Sequence, residues 1–401
     1  MNVILRKSCG ILHSMRLLFV ADGRSPIALN WIRYWIERGD EVYLASTFAC
    51  APSLPLRGLD LVPVALSGMR SAAPAAAPRR GPLSGAQGAV LRAALRQWLG
   101  LLSLPRAARR LEAVAARLQP DLVHAMRIPF EGLLAARARL PAPLILSSWG
   151  NDFTLHARLS PWMGAAIRAA LRAAAALHAD CRRDVRLAHA FGFDPHKPTL
   201  VIPGNGGIDA NIFHPPPHPP AEPVVVNPRG LRGYVRNDTF FKAIPLVLAA
   251  RPETRFRCAA MAGAAAAEDW VRRLGVADAV ELLPPRPHAA MAALYQSAQV
   301  AVSPATHDGT PNTLLEAMAC GCLPIAGDLD SLREWITPGE NGLLIDPSSP
   351  ADLAQAILTA LEDGRLRRQA LKTNVRLIAE RAEYRRCMAQ AEALYTQVAG
   401  G

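Results

Sequence analysis

From residue 16 onward, short apolar runs alternate with longer segments whose apolar residues recur every three or four positions. That alternation predicts parallel strands covered by helices. RLLFVA (16–21) reads as a strand and DGRSP after it as a loop. The next segment puts Trp31, Ile32 and Trp35 on one helical face and stops at Gly39, ahead of a second strand, EVYLAS (41–46). PDLVHA (120–125) and APLILSSWG (142–150) predict two more strands with a helix of the ARARL type between them, followed by helices over 161–177 and 180–190 and a strand at PTLVIPG (198–204). Together these make one doubly wound unit.

FHPPPHPPAEP (213–223) can form neither a helix nor a central strand, because proline lacks the amide donor and fixes φ, so it reads as a linker. The alternation then restarts. EPVVVNPRG (222–230), RFRCAAMAG (255–263), AVELLP (279–284) and AQVAVSP (298–304) predict strands, with helices near 238–250, 268–274 and 288–297 between them. The expected fold is α/β, two doubly wound Rossmann-like domains. Residues 1–212 form the first and 224–375 the second, and a last helix in 376–401 crosses back onto the first. A strand beginning at Arg16 makes Met15 an alternative start and residues 1–14 an extension.

Composition narrows the class. With 51% apolar and 19% charged residues the chain reads as globular rather than disordered. No apolar run approaches the roughly 18–20 residues that a membrane-spanning helix needs. Seven scattered cysteines without a Cys-x-x-Cys pair suggest neither a metal site nor a disulfide framework, which favours a reducing, cytoplasmic setting. The net charge of +12 is one-sided: up to residue 214 there are 26 basic and 13 acidic residues, and beyond it 19 and 20. Such asymmetry points to an anionic partner or, equally, to arginine-rich codon usage. Residues 89–118 combine Leu, Val and Trp with six arginines. They read either as a basic amphipathic segment on an anionic membrane or as a pair of domain helices, divided at Pro105, with arginines outward.

The candidate chemistry lies in SPATHDGTPNTLLEAMACGCLPIAGDLDSLREW. After a strand come the loop His307-Asp308-Gly309, Thr310 as a helix N-cap, Pro311 at the first helical position and a helix from Asn312 to about Cys320. A helix start beyond the strand ends is where phosphates bind in such folds, so Gly309, Thr310, Pro311, Asn312, Thr313 and Leu314 are the candidate cradle. Asp308 and Glu316 are two carboxylates suited to a hydroxyl-rich ligand, one facing a sugar and the other a ribose; the plainer alternative is a capping Asp and a solvated Glu.

This pattern resembles glycosyltransferase family 4 of the GT-B fold, marked by an acidic residue, seven residues and Glu, then Ala-Met-Ala-x-Gly-x-Pro and an Arg-Glu pair. Here these are Asp308, Glu316 to Pro324, and Arg333-Glu334, with Asp where Glu is usual. The resemblance implies a retaining, metal-independent hexosyltransferase, with no cofactor and a UDP- or GDP-linked sugar as donor substrate. It assigns the donor diphosphate to Arg229 and a Lys five residues on; that Lys is absent, leaving Arg232 or Arg236 to stand in. It places His124 beside the reacting sugar as a catalytic residue with Asp308, Glu316 and Arg229, puts Met126 where a second His is common, and brings the turn at Gly23 near the diphosphate. SWGND (148–152) falls where the family has a loop near the acceptor.

The implied partners are the donor and a glycan or lipid-linked acceptor, with the basic first domain on an anionic membrane surface and no nucleic acid. The implied setting is cell-surface polysaccharide or glycolipid assembly, cytoplasmic or peripheral on the inner membrane face. Two other readings share the architecture: a sugar-nucleotide epimerase and a nucleotide-sugar-binding subunit without catalysis. Asp328 and Asp330 have the Asp-x-Asp spacing of metal-dependent transferases, but they follow the strand LPIAG late in the second domain, where the family has a loop, and no metal site is expected there.

Overall fold

The computed structural model describes residues 14–64 and 86–400, residues 86–99 through their backbone alone. Apart from Ser14, the 1–14 stretch lies outside the described residues. The first half runs β1 (Arg16–Ala21), α1 (Pro26–Arg38), β2 (Glu41–Ser46), β3 (Gly58–Leu61), α2 (Ala86–Leu118), β4 (Leu122–Ala125), α3 (Leu133–Arg137), β5 (Leu144–Ser148), α4 (Pro161–Ala173), β6 (Ala176–Ala179), α5 (Arg182–Ala190) and β7 (Thr199–Val201). The second runs β8 (Val224–Asn227), α6 (Asn237–Ala250), β9 (Arg255–Cys258), α7 (Ala265–Leu274), β10 (Val280–Leu282), α8 (His288–Gln296), β11 (Val300–Ser303), α9 (Asn312–Ala319), β12 (Leu323–Gly327) and β13 (Leu343–Ile345). Three helices close the chain: α10 (Pro350–Glu362), α11 (Gly364–Arg381) and α12 (Tyr384–Ala399).

The strands form two parallel sheets, ordered β3-β2-β1-β4-β5-β6-β7 and β10-β9-β8-β11-β12-β13. In each, the order reverses between the first strand and its later neighbour, β1 beside β4 and β8 beside β11. Loops diverge at such a point and leave a crevice beyond the carboxyl ends of the strands, where ligands of doubly wound sheets bind.

Local chemistry explains the clean elements. Ser25 caps α1 by accepting from the Ala28 amide, Pro26 opens the helix, and Gly39 ends it in the left-handed region at φ 95°. Ala28, Trp31, Ile32 and Trp35 form its buried face.

Three expectations differ. The helix expected over 161–177 ends at Ala173, and Ala176–Ala179 is a central strand between β5 and β7. Its alanines favour a helix by propensity, and pairing on both edges overrides that preference. The expected division at Pro105 does not occur: α2 runs through it as one helix of 33 residues. Over its described side chains, Leu104, Ala107, Ala108, Leu111 and Ala115 pack into the core while Arg106, Arg109, Arg110 and Arg117 face outward. Strands β3 and β13 were not expected; at four and three residues they are too short to show an alternating pattern.

The last helix lies on the first sheet. Met388, Ala391, Leu394 and Tyr395 share a buried cluster with Leu17, Phe19, Trp31 and Trp35. Tyr395 stacks on Trp35 with ring centroids 3.9 Å apart, and Glu392 pairs with Arg38 at 2.8 Å. Full burial of side chains of this size contributes about 1.5–3 kcal/mol each.

Candidate functional site

At the switch point of the second sheet, β8 delivers Arg229 and β11 delivers the loop that carries Asp308. Arg229 is buried, its side chain 8% exposed, and a guanidinium nitrogen lies 2.7 Å from an Asp308 carboxylate oxygen. Burial works against this arginine's charge and Asp308 offsets it. The Thr313 hydroxyl accepts from Arg229 at 3.3 Å, and the Tyr234 hydroxyl lies 3.5 Å from its other nitrogen. Tyr234 occupies the place of the expected Lys.

The helix that follows starts at Asn312 as expected, but its cap is one residue later than expected. Pro311 is the cap residue and no side chain caps α9. Thr310 is not the N-cap, because its hydroxyl is turned into the interface, donating to the Asp180 carbonyl and accepting from Trp335 Nε1 at 3.0 Å. Its amide bonds Asp180 Oδ2 at 3.3 Å, and the Leu314 amide bonds the Pro311 carbonyl at 3.0 Å. Pro311 has no N–H, and the Leu314 side chain is part of the core. The cradle therefore narrows to the amides of Asn312 and Thr313 at the positive end of the helix. Gly309 faces the first half so closely that a Cβ would collide with the Asp180 carboxylate.

Glu316 is not solvated. At 3% exposure its carboxylate accepts from the Tyr295 hydroxyl at 3.1 Å and lies 2.8 Å from His288 Nε2. That contact raises the His288 pKa. Asp308 and Glu316 thus have separate partners. Arg236 is held by Asp238 through two contacts of 2.8 Å. Arg232 is exposed, and its Nε donates to the Arg229 carbonyl at 3.1 Å; among the described residues no carboxylate pairs with it.

The first half supplies the opposite wall. Gly23 donates its N–H to Ser46 Oγ at 3.0 Å, and a Cβ there would collide with Cys50. Beside it a cavity of about 250 Å³ is lined by Asp22, Arg24, Arg127, Phe130, Glu131 and Trp149. Arg24 pairs with Asp22 at 2.9 Å and lies 3.7 Å over the Phe48 ring. Arg127, two residues beyond β4, is held by Asp152 at 3.1 Å and Asn151 at 3.0 Å. Burial disfavours its charge, but Asp152 and Glu131 outweigh this. Within SWGND, buried Asp152 anchors Arg127, while Gly150 packs on Gly309.

Buried polar atoms without a hydrogen-bond partner gather at this crevice: Arg229 Nε, Ser303 Oγ, Asp308 Oδ2 and Asn312 Oδ1 on one side and Trp149 Nε1 on the other. Asp308 Oδ2 sits near Arg229 without lining up with an N–H. Such atoms are costly unless a ligand satisfies them.

His124 is not in the crevice, which corrects its expected place beside the reacting sugar. Along β4, Val123 and Ala125 face one core while Leu122 and His124 face the other, under α1 and α12. His124 is 1% exposed and belongs to a chain of hydrogen bonds whose two ends fix every direction. His178 Nε2 donates to the Ile202 carbonyl at 3.0 Å, so its Nδ1 accepts from Ser147, 2.8 Å away. Ser147 accepts from His124 Nε2 at 2.7 Å, His124 Nδ1 accepts from the Tyr395 hydroxyl, and Tyr395 accepts from Trp31 Nε1 at 3.0 Å. Both histidines are neutral with every nitrogen committed.

This chain gives the fold a pH dependence. Burial lowers both pKa values, His178 to about 4, whereas the unfolded chain takes up protons near 6.5. Their contribution is complete above pH 6.5 and is lost as the pH falls toward 4, at up to about 1.4 kcal/mol per pH unit for each histidine. Urea unfolding at pH 7.5, 6 and 5 is expected to show that decline, and a flat profile would contradict the neutral chain.

Asp328 of the Asp-x-Asp pair is bound to Arg333 at 2.6 Å. Among the described residues only Asp180, Cys181 and Asp184 have metal-ligand proximity. Their acceptors already meet the Gly150 and Thr310 amides and Arg183, and burial raises the Cys181 pKa. No helix among the described residues is long and apolar enough to cross a membrane.

The site as folded includes residues absent from the sequence expectations, Arg24, Arg127 and Tyr234, while Trp149 comes from the expected SWGND loop. Arg127 and Arg24 carry a signal in retrospect, since both follow directly on strands flanking the switch point.

Comparison with known proteins bears on the same two halves. Residues 23–204 match the family described as glycosyl transferase 4-like domain, and residues 224–363 match glycosyl transferases group 1. A D-inositol 3-phosphate glycosyltransferase of Thermobispora bispora is 29% identical over 203 residues, 46% of each chain. Its counterpart in Geodermatophilus obscurus is 30% identical over 233 residues, 53% of this chain and 50% of that one. The chain thus spans about half the length of the curated relatives it matches. Among solved structures, sucrose-phosphate synthase of Thermosynechococcus elongatus superposes with a TM-score of 0.73 at 18% identity, covering 95% of this chain and 98% of that one. HepE of Anabaena, in complex with UDP-glucose, gives 0.67 at 18% identity, with 95% and 100% covered.

Proposed function

Because the chain belongs to the group 1 glycosyltransferases and has their GT-B fold, we propose that it moves a hexose-type sugar from a nucleoside-diphosphate donor to an acceptor hydroxyl, with retention of anomeric configuration. The observation that carries this reading is the buried Arg229 guanidinium beside the uncapped start of α9, surrounded by unpartnered polar atoms.

Cleavage of a sugar–phosphate bond passes through an oxocarbenium-like state and leaves a diphosphate. The requirement is fixed positive groups where negative charge grows. Arg229 and the Asn312 and Thr313 amides supply them. Arg232 takes the place of the missing Lys in preference to Arg236, whose charge is already matched by Asp238. Glu316, presented by His288 and Tyr295, binds a donor hydroxyl, and Asp308 orients Arg229. The acceptor enters from the wall of Arg24, Arg127 and Trp149. Fixed guanidinium and amide groups make a metal unnecessary. The UDP-glucose held by the HepE structure supports a UDP-linked donor. The basic first half supports an acceptor at an anionic membrane surface, in polysaccharide or glycolipid assembly.

The test is a panel of UDP- and GDP-sugars with lipid extract as acceptor, with and without EDTA. Nucleoside diphosphate and glycoside are expected to appear together, unchanged by chelation. Activity lost with EDTA and restored by manganese would assign a metal role. An epimerised donor, or binding without turnover, would overturn the reading in favour of an epimerase or a binding subunit.

A further inference from the structure

Beside the donor crevice the two halves meet at a buried polar junction organised by one arginine. Arg183, near the start of α5, is 8% exposed, and every guanidinium N–H has an acceptor. Nε and Nη2 bond Asp184 Oδ1 at 2.9 and 2.6 Å, and Nη2 also reaches the Gly150 carbonyl at 2.5 Å, all within the first half. Nη1 crosses to the second half and bonds the Asp308 carbonyl at 2.6 Å and Ser331 Oγ at 3.0 Å. The Ser331 hydroxyl donates to that same carbonyl at 2.8 Å. Glu334, also of the second half, accepts the Arg182 and Arg183 amides at 2.9 and 2.8 Å.

We propose that Arg183 is a positioning residue for donor binding. From the first half it fixes the loop that carries Asp308, and so aims that carboxylate at Arg229. A loop between strand and helix has no ladder of its own to hold its shape. Here the Asp308 carbonyl is gripped from two directions, and Gly309 lies against Asp180. The planar fork of arginine spreads five N–H donors over three nitrogens and here meets acceptors on both halves at once, whereas the three donors of lysine radiate from a single nitrogen and cannot replace all five contacts. The donor site of the second half is therefore completed by a side chain of the first.

This inference rests on the donor-site reading, and the experiment separates the two. Binding of UDP and of GDP to the full chain is measured by calorimetry, with donor and acceptor KM from the transfer assay. If neither nucleotide binds the native protein, the donor site falls and this inference with it. If one binds, Arg183→Ala and Arg183→Lys are each expected to weaken it about tenfold or more and to raise donor KM while leaving acceptor KM unchanged. The Arg183→Ala, Asp308→Ala double variant is expected to bind no more weakly than Asp308→Ala alone, since Arg183 acts through residue 308. Native-like affinity in Arg183→Ala, or additive losses in the double variant, would overturn the assignment. Should Arg183→Ala fail to fold, Ser331→Ala removes the second grip on the same carbonyl; about threefold weaker nucleotide binding supports the proposal, and unchanged binding overturns it.

Discussion

Arg229→Ala is expected to lower transfer by about 10²–10³-fold while both parallel sheets persist, because a fixed, partly desolvated positive group at the leaving diphosphate acts mainly on the transition state. The effect should fall on kcat as well as on donor KM. The side chain is buried, so its removal has a structural cost too: Asp308 loses its counter-charge, and Thr313 and Tyr234 lose a neighbour. The double variant Arg229→Ala, Asp308→Asn removes the orphaned charge and is expected to regain stability but not activity. Circular dichroism and urea unfolding report the first quantity, and release of nucleoside diphosphate the second. Transfer within a few-fold of the native rate in Arg229→Ala would remove the donor site proposed here.

Tyr395→Phe should destabilise the protein by about 2–6 kcal/mol, since it strands two buried polar groups, Trp31 Nε1 and His124 Nδ1, at about 1–3 kcal/mol each. The phenyl ring still stacks on Trp35, so the loss isolates the hydroxyl. Against a total stability of roughly 5–15 kcal/mol this is a large share. The chain runs from α12 through β4 and β5 to β6, so hydrogen exchange should show α12 loosening from the first sheet before the second sheet opens. At a temperature where the variant stays folded, its pH–rate profile should match that of the native protein. A displaced profile would return His124 to the chemistry, and a stability change below about 0.5 kcal/mol would show that the chain is not closed as described.

Where the sequence was legible, short-range physics decided the outcome. The strand at 16–21, the cap of Ser25 and Pro26, the stop at Gly39 and the βα alternation all express chemistry among residues a few positions apart. Arg229 and the start of α9 were legible for a related reason, since each follows directly on a strand at a switch point. The Ala176–Ala179 strand was not, because its identity depends on two neighbours that pair with it from 31 residues upstream and 22 downstream. The path of α2 through Pro105 belongs with it, as tertiary packing holds a helix that proline weakens.

The sequence by itself determined the two doubly wound units and the strand–loop–helix segment that carries Asp308 and Glu316, because periodicity and motif spacing are properties of adjacent residues. Only the tertiary structure decided which groups share the site. The parity of β4 and the return of α12 turned His124 into the core and brought Arg127 to the crevice in its stead. Closure of the halves turned Thr310 to Asp180 and set Arg183 on the Asp308 carbonyl. Those contacts join residues more than a hundred positions apart, and no local pattern encodes a partner at that distance.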